Sequence, residues 1–210
     1  MDLTTLASVK ASPWLADMVL GDWQDTWDTM IGYLITARSR DAERYCNREF
    51  EKKQVIEYHD GGGKFLFLKR TPINSLVDIK WSLFYDWTEN YLEIDAQTPM
   101  VGFNATIGSV ILIGGIDWYT GIKTIQVTYI GGYDLLTTAP SAPPIPPYMP
   151  LPEDLEAAIA QQVAYDFRRR KDLGLISVTM IDGSIQKKST DKWLPDVELV
   201  LKKYRHRFFG

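Results

Sequence analysis

Between residues 25 and 50 apolar side chains recur at spacings of three, four and seven: Trp27, Ile31, Leu34, Ile35, Ala42, Tyr45 and Cys46. Asp28, Arg38, Arg40, Asp41, Glu43 and Arg44 fall mostly off that stripe, so the pattern predicts one amphipathic helix. Asp25 and Asp28 stand where carboxylates favour the unpaired N–H groups of a helix start. At roughly 1.5 Å per residue, about 24 residues make a rod about 36 Å long, which needs an apolar partner along its length. Residues 3–20 predict a short helix, capped by Thr4 or Thr5 and broken near Ser12-Pro13, before Gly21-Asp22 stops it. Residues 152–171 predict a second partner helix, with Pro152, Glu153, Asp154 and Glu156 at its start and Arg168, Arg169, Arg170 and Lys171 at its end. Both ends complement the helix dipole. Leu155, Ile159, Gln162, Val163, Ala164 and Phe167 form its inward face, and Gly174 ends it. A last helix, Pro195–Arg207, places Val197, Leu201 and Tyr204 on one side.

From residue 52 the period shortens towards two. Strands are predicted at Lys53–Tyr58, Lys64–Leu68, Ser75–Ser82, Tyr91–Ile94, Ser109–Ile113 and Lys123–Tyr129. Asp60-Gly61-Gly62-Gly63 between the first two predicts a hairpin, because glycine reaches positive φ without steric cost. Short strands at this density suggest a compact antiparallel sheet or a small barrel-like sandwich. Seven prolines between Leu135 and Pro152 exclude helix and inner strand there, and predict an extended strap returning the chain to the helices. A ligand for an SH3-type domain is the lesser reading, since no basic anchor flanks the run. Leu175–Lys188 reads as a hairpin arm around Asp182-Gly183, with Ile181 and Ile185 beside the turn; such an arm gains little alone and suits edge pairing with another chain. The expected fold class is α+β. An antiparallel bundle of three to four helices (1–50 and 151–210, with the arm and last helix) carries an inserted antiparallel β domain (51–134) and the strap (135–150).

Two hundred and ten residues, 45% hydrophobic and 24% charged, suit a globular chain with a proper core. No window of 18 apolar residues occurs and the start MDLTTLASVK lacks the features of a signal peptide, so neither a membrane span nor secretion is expected. The lone cysteine, Cys46, excludes an internal disulfide and a Cys-based zinc site, and its place on the apolar stripe makes it a small core residue. The net charge of −4 is uneven: residues 151–210 hold eleven Lys/Arg against nine Asp/Glu, and the rest carries −6. That is not the balance of a nucleic-acid-binding chain. Electrostatic docking would use the basic clusters at Arg168–Lys171 and Lys202–Arg207.

Chemistry finds little support. His59 and His206 are the only histidines and neither has a serine elbow or a nearby cysteine. His59-Asp60 on a turn is a weak metal pair, and Gly61-Gly62-Gly63-Lys64 lacks the spacing and the Ser/Thr of a phosphate loop. Glu89, Glu93 and Asp95 offer carboxylates, but nothing singles out an acid–base pair. No catalytic residue, cofactor or metal is therefore expected, and the chain is read as not an enzyme. Trp81, Phe84, Tyr85, Trp87 and Tyr91 are unusually dense. They point to core and loop packing, to a subunit interface, or to sugar stacking in a carbohydrate- or receptor-binding module.

The order of the pieces adds a resemblance. Glu43, Arg44, Tyr45, Arg48 and Phe50 form an E-R-Y-x-x-R-x-F helix end; Tyr58, Asp60 and Gly61 a Y-x-D-G turn; Arg70, Pro72 and Ile73 an R-x-P-I step. Val127, Tyr129, Gly132 and Tyr133 form V-x-Y-x-x-G-Y, and Pro152, Asp154 and Leu155 open the next helix as P-x-D-L. In this order they resemble the head–tail connector (adaptor) family of tailed bacteriophages over nearly the whole chain. The longer insert at Phe84–Gly121 and the proline run depart from it. The resemblance implies a virion neck protein, assembled in the host cytoplasm. Its subunits would form a ring, commonly of twelve, below the portal protein, though the free chain can be a monomer. Such a ring extends the DNA channel and offers a platform to a second connector, stopper or tail terminator. Lys202, Lys203, Tyr204, Arg205, Arg207, Phe208 and Phe209 then become candidates for portal docking. Arg168, Arg169, Arg170 and Lys171 become candidates for the channel or a subunit interface. DNA would only pass through, consistent with a net-acidic body that binds phosphate weakly.

Overall fold

The computed structural model describes residues 2–15, 25–82, 92–94, 101–113, 117–118, 120–135, 149–170, 177–179, 185–187 and 192–205; for 25–26, 177–179 and 185–187 it describes the backbone alone. The fold is α+β, with four helices and antiparallel sheets among the described residues. It divides into two compact units, one built from Met1–Asn47 with Pro152–Gly210 and the other from Arg48–Leu151.

The first unit holds α1 (Leu6–Ala11), α2 (Asp25–Cys46), α3 (Glu153–Arg168), a strand pair β8 (Ser177–Thr179) and β9 (Ile185–Lys187), and α4 (Pro195–Tyr204). Thr5 is the cap of α1, its hydroxyl accepting from the Ser8 amide at 3.0 Å. The buried stripe of α2 runs Ile31, Ile35, Ser39, Ala42 and Cys46, one residue per turn, while Trp27, Leu34 and Tyr45 lie at its half-buried margins. Ser39 is polar but not orphaned, since its Oγ accepts from the Leu3 amide at 2.9 Å. α2 ends at Cys46, four residues before the predicted end, because Asn47 turns to φ +52, a conformation asparagine tolerates. Asp28 spends its carboxylate on Lys10 of α1 at 2.6 Å; the side chain of Asp25 lies outside the described residues. Leu155, Ile159, Val163 and Phe167 of α3 are fully buried, as are Val197 and Leu201 of α4. Phe167 meets Trp27 edge-on at 5.7 Å. The Cys46 thiol is buried and approaches the Leu201 carbonyl at 3.4 Å.

Among the described residues the second unit has two sheets. One is ordered β1–β7–β3–β4, with β1 Lys53–His59, β3 Ile73–Trp81, β4 Leu92–Ile94 and β7 Ile125–Gly131. The other is β2–β6–β5, with β2 Phe65–Phe67, β5 Val101–Asn104 and β6 Ser109–Leu112. All seven residues of β7 are buried, as expected of the strand between β1 and β3. Leu66 and Val110 on the smaller sheet, with Leu68 just after β2, share one core with Leu76, Ile79, Ile125, Val127 and Tyr129 on the larger. The hairpin predicted at residues 60–63 does not form. β1 pairs with β7 and β2 with β6, so the two strands lie in different sheets. The glycines instead bond to a distant loop: Gly61 N–H to the Gly121 carbonyl, Gly62 N–H to that of Trp118, and Trp118 N–H back to Gly63. Strand β5 leaves little mark in the sequence, because Gly102 and Asn104 weaken its pattern. Of the proline run, residues 136–148 lie outside the described residues. Its two ends meet: Asp134 N–H donates to the Met149 carbonyl at 2.7 Å, and Met149 N–H to the Asp134 carboxylate at 2.9 Å. The chain on either side of residues 136–148 therefore comes together in the second unit, while the strap expected there lies outside the described residues.

Candidate interaction surfaces and the motif cluster

Several motif residues scattered in sequence, Arg48, Phe50, Arg70, Pro72, Gly132 and Tyr133, meet in one part of the second unit. Arg48 donates to the Thr71 carbonyl and lies over the rings of Phe50 (5.0 Å) and Tyr133 (5.8 Å), which stack on each other at 6.5 Å. Arg70 donates to the Glu51 carbonyl and to the Glu49 carboxylate. Between them the chain 131–133 is held on both sides: Gly132 N–H bonds the Pro72 carbonyl, and Tyr133 N–H that of Phe50. Gly132 has φ +108, and a Cβ there would stand 2.5 Å from the Glu51 carbonyl oxygen. Only glycine fits such an approach. These motif positions therefore hold three chain segments together and present no reacting group.

Beside this cluster lies a polar network that the sequence reading missed. Glu57 points inward from β1, and its carboxylate accepts from the Tyr129 hydroxyl at 2.5 Å, from His59 Nε2 at 3.2 Å and from the Lys69 amide at 3.2 Å. The Arg70 amide donates to the Tyr129 oxygen at 2.9 Å. Burial pushes the Glu57 carboxyl up, but hydrogen bonds from His59, Tyr129 and Lys69 outweigh it and hold it below the ordinary glutamate value. Burial, then the adjacent Glu57 charge, pushes the Tyr129 phenol up. The network ties β1 of the larger sheet to the chain following β2 of the smaller one. A signal was available: a carboxylate at an inward position of the β1 alternation needs a partner across the strand.

In the first unit a second motif group converges on α4. Tyr45 donates to Glu198 at 2.9 Å and meets Trp193 edge-on; Asp154 accepts from the Tyr204 hydroxyl and pairs with Lys203 at 3.4 Å. Lys202 pairs with Glu198 one turn away at 3.2 Å, and Arg205 lies 6.0 Å over the Tyr45 ring. Lys202, Lys203 and Arg205 are exposed on the end of α4 and Tyr204 is half-buried, so these four share one end of a helix. Arg207, Phe208, Phe209 and His206 lie outside the described residues. The arginines of α3 separate. Arg168 is exposed, Arg169 bonds the Tyr165 hydroxyl, and Arg170 lies over the rings of Phe167 (4.2 Å) and Trp27 (4.5 Å). Arg170 is thus occupied by packing within its own unit; Lys171 lies outside the described residues. In the arm, β8 and β9 pair antiparallel, Thr179 opposite Ile185, while Ile181, Asp182 and Gly183 at the predicted tip lie outside.

Among the described residues no group of three or more His, Cys, Asp or Glu is placed to hold a metal ion, and no described helix is long and apolar enough to cross a membrane. Of the dense aromatics, Trp81 is half-buried and packs on the core, while Phe84, Tyr85, Trp87 and Tyr91 lie outside the described residues.

No protein-family model matches the chain, and no curated protein does. Solved structures do. A chain in the neck of an empty gene transfer agent (GTA) particle, computed with C6 symmetry, matches with a TM-score of 0.56 at 11% identity, over 99% of this chain and 92% of that one. A chain in the neck of the native GTA particle, computed with C12 symmetry, matches with a TM-score of 0.52 at 11% identity, over 100% and 97%. A chain of the native GTA virion gives the same figures. At this identity the likeness establishes the fold, and it does so from end to end of both chains.

Proposed function

We propose that this chain is a structural subunit of a phage-like virion neck: a head–tail connector whose ring sits below the portal, continues the DNA channel and receives the next connector or the tail. The observation that carries this reading is the end-to-end likeness to chains in GTA particle necks, one of them computed with C12 symmetry. A shared fold alone does not give function. Here it is joined by an architecture whose motif residues lock chain segments together and leave charged and apolar surfaces to do the work.

On this reading the end of α4 is the portal-facing surface. Lys202, Lys203 and Arg205 would steer the encounter, and Arg207, Phe208 and Phe209 would complete it. Arg168, exposed at the end of α3, is the arginine proposed to meet a neighbouring subunit or the channel, while Arg170 stacks on Trp27 and Phe167. The arm around Ile181–Ile185 would pair with an adjoining chain.

Truncation tests this most simply, and where it begins matters. Deleting α4 would empty the core positions Val197 and Leu201, so the stop belongs after Arg205. Loss of residues 206–210, together with Lys202→Glu and Lys203→Glu, is expected to reduce co-sedimentation with the portal at least tenfold while leaving the circular dichroism unchanged. Undiminished attachment would remove this surface from the assignment.

A further inference from the structure

The outer face of the three-stranded sheet is apolar. Phe65 and Phe67 of β2 stack at 6.2 Å and are 56% and 44% exposed; across the strands stand Ile111 and, just past β6, Ile113, which is 50% exposed. Gly102 of β5 pairs with Ile111, and a Cβ built there would lie 3.4 Å from both isoleucines, so the side chains spread over the bare backbone. The strand positions that share this face, including Ser109 and Asn104, carry no charge. A contiguous apolar surface of this kind marks a docking site.

The same unit supplies an occupant of matching chemistry. Residues 136–148, LTTAPSAPPIPPY, are uncharged, and five of the thirteen are proline. The segment's two ends are held together by the Asp134–Met149 hydrogen bonds, so it leaves and re-enters the unit at a single point. Half of thirteen residues, at about 3.1 Å each, bounds the reach of such a segment at roughly 20 Å. Proline has no N–H to add to a strand edge, so such a segment is recognised by packing its rings on aromatic and aliphatic surfaces. By sequence, Pro143 and Pro146, and Pro144 and Pro147, are proline pairs three positions apart around Ile145, the spacing that proline-binding surfaces read.

We propose that the face formed by Phe65, Ile111 and Ile113 receives the proline-rich loop, residues 136–148, of a second copy of this chain. The proposal rests on the ring reading, which supplies a neighbour bearing the same loop at a fixed offset. The loop of each subunit would clasp the next, a heterologous contact of the kind that closes rings.

A fluorescent peptide of residues 136–148 is titrated by anisotropy against the full-length monomer. It is also titrated against a variant in which a short Gly-Ser linker joins Leu135 to Met149, and against Phe65→Ser/Ile113→Ser. Both substituted residues are half exposed, so the fold should persist and circular dichroism checks it. The expected result is binding to the full-length and loopless chains with equal affinity, weakened at least tenfold by the double substitution. Absence of binding at millimolar peptide, or equal binding by the double variant, overturns the proposal. Binding to the loopless chain but not to the full-length monomer also overturns it, because the loop would then cover its own sheet. None of these readings needs the portal, so failure here is distinguishable from failure of the neck assignment, which particle localisation tests separately.

Discussion

Glu57→Gln is the substitution on which the physics of the second unit can be tried most sharply. The side chain is about one-tenth exposed and takes hydrogen bonds from Tyr129, His59 and the Lys69 amide. Hydrogen bonds to a charged, shielded group contribute roughly 1.5–3 kcal/mol. A glutamine keeps one acceptor for the phenol but turns an NH2 towards another donor. The expected loss is therefore about 2 kcal/mol, or roughly 10 °C in the melting temperature of a unit of about 100 residues. The pH dependence has a definite sign. The folded carboxyl titrates below its unfolded value, so the unfolded chain binds more protons in the acid window. The stabilisation is complete above about pH 4.3, the ordinary glutamate value, and is lost as pH falls through the lowered folded value. Hydrogen exchange of the amides in β1 and β7 reports on this unit alone, which matters because two units need not unfold in one step. Wild-type protection should fall in that acid window, whereas the E57Q protein should start lower and respond less. A double cycle with Tyr129→Phe should show coupling of about 1 kcal/mol. Unchanged protection at pH 7, or an unchanged acid response, would refute the network as a tie between the sheets.

Two further substitutions probe the packing. Gly132→Ala must move the Glu51 backbone and adopt φ +108, so it should cost at least about 2 kcal/mol and depress soluble expression; wild-type melting would show the cluster to be loose. Phe167→Ala removes a fully buried ring that meets Trp27 and should destabilise the first unit by about 3–5 kcal/mol in urea titration, with α3 amides losing protection first.

The helices were legible because a 3.6-residue stripe is a local signal: Ile31, Ile35, Ala42 and Cys46 in α2, and Leu155, Ile159, Val163 and Phe167 in α3, are buried as their spacing requires. The end of α2 is not legible locally, because Arg48 and Phe50 suit a helix by composition, yet both stack with Tyr133, more than eighty residues on. Pairing in the β unit was less legible still. Asp-Gly-Gly is a strong local hairpin signal, and it lost to the distant register that sets Val55 against Tyr129 and Glu57 against Val127. Such long-range pairing leaves no trace in the spacing of one strand. Of the candidate surfaces, the basic end of α4 was readable from charge, but the stacking of Arg170 on Trp27 joins residues 143 positions apart and needed the fold. The motif order was readable; that Arg48, Arg70, Pro72 and Gly132 serve one junction was not.

The most direct test of a neck role is cryo-electron microscopy of particles carrying this chain, with density sought between the portal and the tail. A closed ring of this α+β fold there, twelve-fold or a divisor of it, with the α4 end towards the portal, is the predicted result. A neck complete without this chain, or this chain found only elsewhere in the particle, would contradict it.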